Sequence, residues 1–410
     1  MNDSTIHDVM VVGAGPGGLS AAYELARIGL EPLVLERTPA VGDVWRNHYD
    51  GLRINSGRLF SGLPGSPFPR SAGPWPARDD MVRLLETLPG RGGFTVRTNV
   101  DIETVDYDPV RDLWIAASRD GLRFLARAVV IATGGTRVPV IPDWEGVETF
   151  PGEIIHSSAF RNAQAHAGRH VLVVGSGNSA AEIASRLVEH ARTVTISVRT
   201  PPHILPKSVC GIPLIGIGVA TRYLPASWVD GLLAFLQRRF IGDLTSHGLP
   251  FPPLRLSRQF ARTQVVPILY RPFVEDVRAG RIRVVGPIRK IQGRSVRVFV
   301  SIDAARDGQS GMEEALETDV IIAGTGFRTG ITELVRIPGV ATREDRCTIS
   351  GDQEIRDAPR LYFIGQFNPL SGLLREIRLE AGRIARRIKD RLGERPDRSG
   401  PGPDTERNPP

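Results

Sequence analysis

The residues best placed for chemistry form two glycine-rich turns. The first is Gly13-Ala14-Gly15-Pro16-Gly17-Gly18, and the second is Gly175-Ser176-Gly177-Asn178-Ser179-Ala180. Each turn follows an aliphatic run, at residues 9–12 and 171–174, and precedes a segment with helical spacing of apolar residues. In such a turn the first glycine permits a tight bend, the second lets a pyrophosphate approach the backbone, and the third small residue lets helix and strand pack closely. Free N–H groups at the helix start attract phosphate. The sequence therefore predicts two dinucleotide sites.

The residue that ends the next strand predicts which dinucleotide binds. Glu36 ends the strand after the first turn, with Arg37 beside it, and a carboxylate there bonds a ribose hydroxyl. Arg199 takes the corresponding place after the second turn, where a guanidinium suits the 2′-phosphate of NADP. A solvated surface arginine is the alternative for Arg199. His203 and Lys207 are candidates for supporting contacts.

Two such turns in one chain indicate a flavoprotein with a nicotinamide site, because a nicotinamide must deliver hydride to the flavin in a shared cleft. We therefore predict an α/β fold with two Rossmann-like dinucleotide-binding domains, an FAD domain with an NADPH domain inserted in it. The FAD domain is expected at residues 1–160 and 311–392, with returning strands at 129–132 and 319–323, and the NADPH domain at 161–310. Residues 205–275 are expected to be a substrate-facing insertion. Residues 393–410 are polar and proline-rich and are expected to form a disordered tail.

Further candidate cofactor contacts follow strands or precede helices, where loops meet a bound nucleotide. They are Val44, Trp45, Thr133, Gly134, Thr325, Gly326, Gly365, Gln366 and Leu373. Trp45 and Arg46 could cover one face of the flavin, and core packing is the alternative for Trp45. A helix that begins near Leu373, with Ser371 as its N-cap, would direct its positive end toward the flavin ring, which becomes negative near N1 on reduction.

Between the two turns lies the segment FPGEIIHSSAF, residues 150–160, with the pattern F-x-G-x-x-x-H-x-x-x-F. Its pattern residues are Phe150, Gly152, His156 and Phe160. A single histidine among apolar residues usually packs in a core. The position of His156 between two nucleotide turns favours a functional role.

Composition limits the other functions that the chain could have. Of its 410 residues 41% are hydrophobic and 24% are charged, which allows two or three domains with ordinary cores. The net charge is +7, but the basic residues are scattered, so we expect no nucleic-acid partner. The two cysteines, Cys210 and Cys347, allow neither a disulfide framework nor a C-x-x-C pair and favour a cytoplasmic location. No His, Asp and Glu cluster with metal-ligand spacing is present in the sequence, so we expect no metal.

Residues 209–236 are rich in Ile, Leu, Val and Ala, but Pro213, Arg222, Pro225 and Asp230 interrupt them. No stretch of about 20 unbroken apolar residues occurs, so no transmembrane helix is predicted. Burial in a core is the favoured interpretation. A substrate channel, a subunit contact and a membrane surface remain alternatives. The oligomeric state is open, a dimer included.

Taken together, these motifs resemble those of class B flavin-dependent monooxygenases, and within that class flavin-containing monooxygenases and the plant auxin-forming YUCCA type. The likeness extends from residue 8 to residue 390 and is carried by GAGPGGLS, VWRNHYDGLRIN, FPGEIIHSSAF, GSGNSAAEIA, VRTPPHILP, DVIIAGTGF and NPLSGLLRE. The resemblance implies that residues 150–160 couple the two cofactor domains, with His156 supporting them rather than transferring protons. It also implies that the amide of Asn55 lies beside the flavin and bonds the flavin peroxide.

The resemblance further implies a two-stage reaction on a small organic substrate with O2. NADPH, bound at Gly175, Gly177, Ala180 and Arg199, would reduce FAD. Reduced flavin and O2 would then form a C4a-(hydro)peroxyflavin, from which one oxygen atom passes to the substrate. N- or S-oxygenation of a soft nucleophile is the expected reaction.

Three other reactions remain as alternatives. Oxidative decarboxylation of a 2-oxo acid is the auxin-forming reaction, but the YUCCA type carries a different residue at the position of Asn55. Baeyer–Villiger oxidation is disfavoured because Gly42-Asp43-Val44-Trp45 departs from the usual motif and Phe160 replaces a tryptophan. An NADPH-dependent flavin reductase would pass electrons to a quinone, a disulfide or a protein, and the missing C-x-x-C pair disfavours it.

Overall fold

The structure is a computed structural model that describes residues 5–302 and 312–393, so the predicted tail beyond Gly393 lies outside the described residues. Its strands are, in chain order, β1 (Ile6–Val12), β2 (Pro32–Leu35), β3 (Thr95–Arg97), β4 (Ile102–Asp108), β5 (Leu113–Ser118), β6 (Arg123–Ile131), β7 (Val138–Pro139), β8 (Glu153–His156), β9 (His170–Val174), β10 (Thr193–Ser197), β11 (Ser208–Val209), β12 (Ile212–Pro213), β13 (Ile282–Val285), β14 (Ile288–Gln292), β15 (Ser295–Phe299), β16 (Glu313–Glu317), β17 (Val320–Ala323), β18 (Phe327–Arg328) and β19 (Leu361–Phe363).

The helices connect or cover these strands. They are α1 (Pro16–Arg27), α2 (Asp43–Arg46), α3 (Arg58–Ser61), α4 (Arg78–Gly92), α5 (Asn178–Leu187), α6 (Leu214–Ala220), α7 (Ala226–Leu236), α8 (Leu256–Thr263), α9 (Arg271–Arg278), α10 (Ile331–Leu334) and α11 (Leu373–Gly393).

The first sheet has the strand order β3-β2-β1-β6-β5-β4, and β19 also pairs with β6. Its central strands β2, β1, β6 and β19 run parallel, whereas β4 and β5 are joined antiparallel. Successive aliphatic residues of β1 are buried on opposite faces, Val9 and Val11 in one core and Met10 and Val12 in another. Helices α1, α4 and α11 contribute to the first of these cores. This sheet is a buried α/β layer, which explains the near-continuous apolar strands.

The second sheet is entirely parallel, in the order β13-β10-β9-β17-β8. Helices α5 and α9 pack on one side of it, with Ile183 and Phe273 fully buried. Strands β8 and β17 both belong to this sheet, although the sequence assigned them to the FAD domain. The second sheet therefore extends on both sides beyond the NADPH domain expected at residues 161–310. In particular, the strand expected to return to the first sheet at 319–323 lies beside β9 instead. Short aliphatic strands predict burial, but hydropathy does not tell which of two sheets they join.

Two chain segments connect the sheets. The first runs from β6 to β8 and contains β7, and the second runs from β17 to β19 and contains β18. Strands β7 and β18 pair antiparallel, with Phe327 opposite Pro139 and Arg328 opposite Val138. The two connections are therefore hydrogen-bonded to each other.

The expectation that residues 209–236 form core is wrong. No residue of α6 is buried, and in α7 only Asp230 and Leu236 are. The segment has core composition, but no further layer of the described chain covers its outer side. Among the described residues, no helix combines the length and apolarity needed to cross a membrane.

Candidate functional site

The loops after β1, β6 and β19 meet at the carboxyl edge of the first sheet, where parallel sheets bind nucleotides. Gly13 has φ +108°, and a Cβ there would lie 2.7 Å from the carbonyl oxygen of Ala132. A Cβ on Gly18 would lie 1.8 Å from the Gly13 oxygen, so helix α1 can approach the turn only with glycine at that place. Nothing lies within 4 Å of the position of a Gly15 Cβ. The turn is therefore tight on its inner side and open where a pyrophosphate would approach.

Glu36 lies at the same edge and is 8% exposed. Its Oε2 accepts the backbone N–H of Ala14 at 2.7 Å, and its Oε1 accepts the N–H and hydroxyl of Thr38 at 2.9 and 2.8 Å. The carboxylate thus holds the first turn in place, and it keeps acceptor capacity for a ribose hydroxyl. Arg37 is exposed beside it. Burial, together with the charge of Arg37, lowers the pKa of Arg137.

Three residues predicted to contact a flavin carry buried polar atoms without a hydrogen-bond partner in the described chain. They are Asn55 Oδ1, Thr133 Oγ1 and Gln366 Oε1. Buried polar atoms in native proteins are nearly always bonded, so such atoms need an explanation. A bound group with several donors and acceptors, such as a flavin ring, would satisfy them. Thr133 and Gln366, which follow β6 and β19 at this edge, and Asn55 in the loop after α2 therefore fit a flavin.

Helices α2 and α11 border this edge. Trp45 is half-buried and packs against the first core, while Val44 is 48% exposed. Arg46 forms ion pairs with Asp43 and Glu86 at 3.0 and 2.6 Å, which engages the guanidinium away from a ligand. Both sequence interpretations of Trp45 are compatible with this position, since the indole packs on the core and is only partly buried.

At the other border, α11 begins at Leu373 after Gly372, which has φ +94°. Ser371 is not the expected N-cap, because its hydroxyl bonds the side chain of Glu376 at 2.9 Å rather than a backbone N–H. A glycine with positive φ sets the chain direction into the helix instead. Gly365, with φ +68°, and Gln366 lie between β19 and this helix start.

The second turn has the same construction at the edge of the second sheet. Gly175 has φ +136°, and a Cβ there would lie 2.2 Å from the carbonyl oxygen of Gly324. Thr325 and Gly326 follow this crossing, so the structure places them beside the second turn and not beside Gly13. Helix α5 begins at Asn178, after Gly177, whose Cβ position is open. The N–H groups of this helix start are available to a phosphate.

Three polar residues near the second turn differ in how they are engaged. Asn178 Nδ2 donates to the carbonyl of Pro267 at 2.8 Å, and its Oδ1 accepts from the N–H of Leu269 at 2.9 Å. Its side chain therefore holds the loop at 267–269, and only its backbone is left for a nucleotide. Ser179 is exposed at the first turn of α5, and Ser176 is half-buried.

Arg199 follows β10, at the position that contacts the 2′ substituent of the adenosine ribose in folds of this type, and its side chain is exposed. No hydrogen bond or ion pair engages it among the described residues. His203, by contrast, bonds Gln237 and the Leu254 carbonyl at 3.3 and 3.0 Å. Lys207 lies over the ring of Trp75 at 4.4 Å, and burial lowers its pKa. Arg199 is thus the residue of the three that remains free for a phosphate.

His156 joins the segment 150–160 to the turn at 325–327. The N–H of Ser158 donates to its Nδ1 at 3.1 Å, so the ring proton is on Nε2 and is donated to the Gly326 carbonyl at 2.9 Å. The ring packs edge-on against Phe327, with 4.6 Å between the ring centres. Burial lowers the pKa of His156, which keeps the imidazole neutral. Both nitrogens are used within the chain, as a supporting residue requires.

The other pattern residues pack. A Cβ on Gly152 would lie 2.3 Å from the Asp319 carbonyl oxygen, so glycine allows β8 to reach β17. Phe150 packs against a small core beside the second sheet. Phe160 is 1% exposed, stacks on His166 and meets Tyr49 edge-on at 6.2 Å.

A buried carboxylate that sequence reasoning missed connects the two halves of the site. Glu182 lies on α5 and is 3% exposed. Its Oε2 accepts the hydroxyl of Tyr49 at 2.7 Å, and its Oε1 accepts from Asn55 Nδ2 at 3.3 Å. Both donors come from the loop after α2, whereas Glu182 belongs to the helix of the second turn. An ionisable residue among the apolar positions Ala181, Ile183 and Ala184 was the available signal.

Comparisons with known proteins place these observations in a family. A family model described as "Pyridine nucleotide-disulphide oxidoreductase" matches residues 10–207. The "Indole-3-pyruvate monooxygenase YUCCA1" of Oryza sativa subsp. japonica is 31% identical over 369 residues, which cover 88% of this chain and 87% of that protein. A "Probable indole-3-pyruvate monooxygenase YUCCA3" of Arabidopsis thaliana is 30% identical, covering 80% and 74%.

Solved structures agree in fold. The flavin-containing monooxygenase from Stenotrophomonas maltophilia superimposes with a TM-score of 0.69 at 24% identity, over 96% of this chain and 100% of that chain. The cyclohexanone monooxygenase from Rhodococcus sp. Phi1, whose crystal structure is bound to NADP+, gives 0.66 at 19% identity, over 94% and 84%. The predicted α/β fold with two dinucleotide-binding domains is confirmed.

Proposed function

Because the chain belongs to the class B flavin-dependent monooxygenases, and is therefore an oxidoreductase, we propose that it uses FAD, NADPH and O2 to oxygenate nitrogen or sulfur in a small organic molecule. The first sheet, with residues 324–393 that follow β17, would hold FAD. The second sheet would hold NADPH. When bound, the flavin accepts hydride from the nicotinamide and activates O2. The chain's own residues bind, orient and shield these partners.

Binding of the two nucleotides follows from the turns. The open face at Gly15 and the N-terminus of α1 would take the FAD pyrophosphate, and Glu36 would accept a ribose hydroxyl. Gly177 and the start of α5 would take the second pyrophosphate, and the free guanidinium of Arg199 would bond the 2′-phosphate of NADPH. Thr133 Oγ1 and Gln366 Oε1 would bond the flavin ring. Gly13, Pro16, Gly17, Gly18, Arg37, Val44, Trp45, Gly134, Ser176, Asn178, Ser179, Thr325, Gly326, Gly365 and Leu373 remain proposed cofactor contacts.

The observation that carries oxygenation of a soft nucleophile is the orientation of Asn55. Its Nδ2 is held by Glu182, which leaves the buried Oδ1 as an acceptor without a partner in the described chain. The oxygen of a neutral amide can accept a hydrogen bond from an O–H or N–H group without removing its proton. Transfer of an oxygen atom to an amine or a sulfide needs such an environment and needs no side-chain base. His156, whose two nitrogens are bonded within the chain, keeps the supporting role.

Water must be excluded from this reaction, since water diverts activated oxygen to hydrogen peroxide. Tyr49, Phe160 and His166 form a continuous aromatic contact where the loop after α2 meets the second sheet. Tyr49 is 5% exposed and its hydroxyl is bonded to Glu182. This contact would close the cleft on the side of the second turn.

A product panel tests the proposal. Purified protein with NADPH and labelled O2 would be given a tertiary amine, a thioether, a cyclic ketone and an aromatic 2-oxo acid in separate reactions. We expect one labelled oxygen atom in an N-oxide or a sulfoxide. A lactone from the ketone, or NADPH consumption without oxygen uptake, would contradict the proposal.

Oxidative decarboxylation of a 2-oxo acid is the second candidate, and two observations favour it. The curated relatives are indole-3-pyruvate monooxygenases at 31% and 30% identity. In addition, Lys207 interacts electrostatically with Glu182, beside Asn55, and a half-buried ammonium could bind a substrate carboxylate. In the panel this reaction would release carbon dioxide and give the acid one carbon shorter. Lys207→Met should then raise KM for the 2-oxo acid and leave KM for the thioether unchanged.

A further inference from the structure

Helix α7 and the residues that flank it carry an unusual concentration of exposed large apolar side chains. We define the exposed apolar face by Tyr223, Leu224, Trp228, Leu232, Phe235 and Phe240. Trp228 is 69% exposed and Phe235 is 61% exposed. Single exposed apolar residues are ordinary on a protein surface, but a contiguous set of this kind marks an interaction site.

The exposed apolar face belongs to a regular helix that is fixed to the rest of the protein. Trp228, Leu232 and Phe235 follow the i, i+4, i+7 spacing that places side chains on one side of α7. On the opposite side, Asp230 is buried and accepts the N–H and hydroxyl of Ser257 at 3.0 and 2.6 Å. Leu236, at the end of the helix, is also buried. The helix is therefore anchored to α8, and its apolar side is turned outward.

Within the segment that carries the face, residues 208–242, the exposed charges all have one sign, and the next exposed charge along the chain is Asp243. Arg222, Arg238 and Arg239 are exposed within residues 208–242. The acid in that stretch, Asp230, is buried and bonded to Ser257. Like charges brought together across an interface oppose association, so a symmetric contact between two copies of this face would be penalised. An anionic surface would be attracted.

We propose that the exposed apolar face docks on the surface of an anionic lipid bilayer. The 11 residues of α7 extend roughly 16 Å, and the π-helix Gln237–Ile241 continues them, so the pair is long enough to lie in the plane of the interface. The aromatic and leucine side chains enter the boundary between headgroups and acyl chains, and the arginines bond lipid phosphates. The helix would lie in the bilayer interface without crossing it. This docking does not depend on which oxygenation reaction the protein catalyses.

The inner side of the same segment borders the candidate site. A Cβ on Gly372, just before α11, would lie 3.0 Å from Ile215 Cδ1, and one on Gly57 would lie 3.3 Å from Pro213. Gly216 lies against the ring of Phe60 in the same way. Residues 213–216 therefore lie between the exposed apolar face and the loop that contains Asn55. Docking of the face would place this side of the site at the bilayer, which would favour substrates that partition into lipid.

The experiment uses the flavin-loaded full chain and vesicles. Acyl-brominated phosphatidylcholine quenches only tryptophans that enter the bilayer, and Trp228 is the tryptophan of the exposed apolar face. We expect quenching with vesicles that contain equal parts of phosphatidylcholine and phosphatidylglycerol, and little with phosphatidylcholine alone. Trp228→Phe should keep binding, measured by vesicle flotation, and lose the quenching.

Variants separate the two contributions. Arg238→Gln with Arg239→Gln should weaken binding to the anionic vesicles about thirtyfold, which corresponds to about 1 kcal/mol for each arginine. Leu232→Ser with Phe235→Ser should abolish flotation. The matched control is Val110→Ser with Arg111→Gln, an apolar and a basic residue that are exposed on the β4–β5 turn, and it should bind like the unchanged chain.

Two results would overturn the proposal. One is the absence of flotation with anionic vesicles while the flavin content and the unfolding midpoint are normal. The other is a concentration-dependent dimer that Leu232→Ser with Phe235→Ser abolishes, because the face would then belong to a second copy of the chain.

Discussion

Removing the hydroxyl of Tyr49 should destabilise the protein more than removing a similar hydroxyl elsewhere. Tyr49 donates to Glu182, a carboxylate that is 3% exposed and whose other hydrogen bond, from Asn55, is long at 3.3 Å. Hydrogen bonds to charged groups contribute roughly 1.5–3 kcal/mol, and loss of the partner leaves the charge poorly solvated. We therefore expect Tyr49→Phe to lower the free energy of unfolding by about 2.5 kcal/mol, near the upper end of that range.

Tyr362 offers a matched control. Its hydroxyl donates to Glu354, which is also held by Arg387 and Arg391 at 3.3 and 2.7 Å. Because two guanidinium groups remain on Glu354, we expect Tyr362→Phe to cost only about 1 kcal/mol. Urea unfolding of each variant, followed by circular dichroism, gives both values from the midpoints and slopes.

A double-substitution cycle then isolates the contact. Glu182→Gln removes the charge, so the unpaired carboxylate no longer penalises loss of the Tyr49 hydroxyl. Tyr49→Phe in that background should cost about 1.5 kcal/mol less than in the unchanged chain, well above the ~0.5 kcal/mol error of additivity. The reasoning would be refuted if the losses of unfolding free energy from Tyr49→Phe and Glu182→Gln were additive. Equal losses for Tyr49→Phe and Tyr362→Phe would refute it as well. Glu182→Gln also leaves a single side-chain acceptor oxygen for the two donors Tyr49 and Asn55, so the Asn55 amide should be held less tightly, and hydrogen peroxide release per NADPH should rise with flavin content unchanged.

Three further outcomes follow from the site. Arg199→Ala should weaken NADPH binding by about 1.5–3 kcal/mol and leave NADH binding nearly unchanged, since only NADPH has the 2′-phosphate; equal losses in a titration of both would contradict this role. Asn55→Ala should increase hydrogen peroxide release at unchanged FAD content, and an unaltered ratio of product to NADPH consumed would count against it. Burial lowers the pKa of His156 below its ordinary 6.5, so on acidification the unfolded chain binds a proton at this residue before the folded chain does. The urea midpoint should therefore be constant above about pH 6.5 and fall below it. A midpoint that stays constant down to about pH 5.5 would argue against a buried neutral imidazole.

Local motifs predicted the parts of the structure that depend on local geometry. Gly13 and Gly175 have positive φ and contact a neighbouring backbone, as turns of this type require. Glu36 and Arg199 follow the second strand of each unit at the expected distance from the turn. These features follow from a strand, a turn and a helix that are adjacent in sequence, so spacing alone is informative.

Features that depend on distant segments were not predicted. The partner sheet of β17 is set by packing between segments that are distant in the chain, as in the pairing of Val320 with Val171 and Glu153, which lie 149 and 167 residues earlier in the sequence. The apolar stretch at 209–236 has core composition, and only the tertiary structure shows that nothing in the described chain covers Trp228 and Phe235. Glu182 was overlooked because its donors, Tyr49 and Asn55, lie in another unit.

The pairing of β7 with β18 has a mechanical consequence. Both chain connections between the sheets pass through this one short ribbon, and the hydroxyl of Thr325 and the N–H of Val140 tie it further. A rotation about this ribbon that broke the contacts of Tyr49 and Asn55 with Glu182 would let each sheet stay rigid, as in hinge motions of other enzymes. Such a rotation would change the gap between the phosphate turns at Gly13 and Gly175 without altering either turn. The moving hydride carrier and the flavin could thus be brought together or apart by a few backbone torsions at residues 132–140 and 324–330.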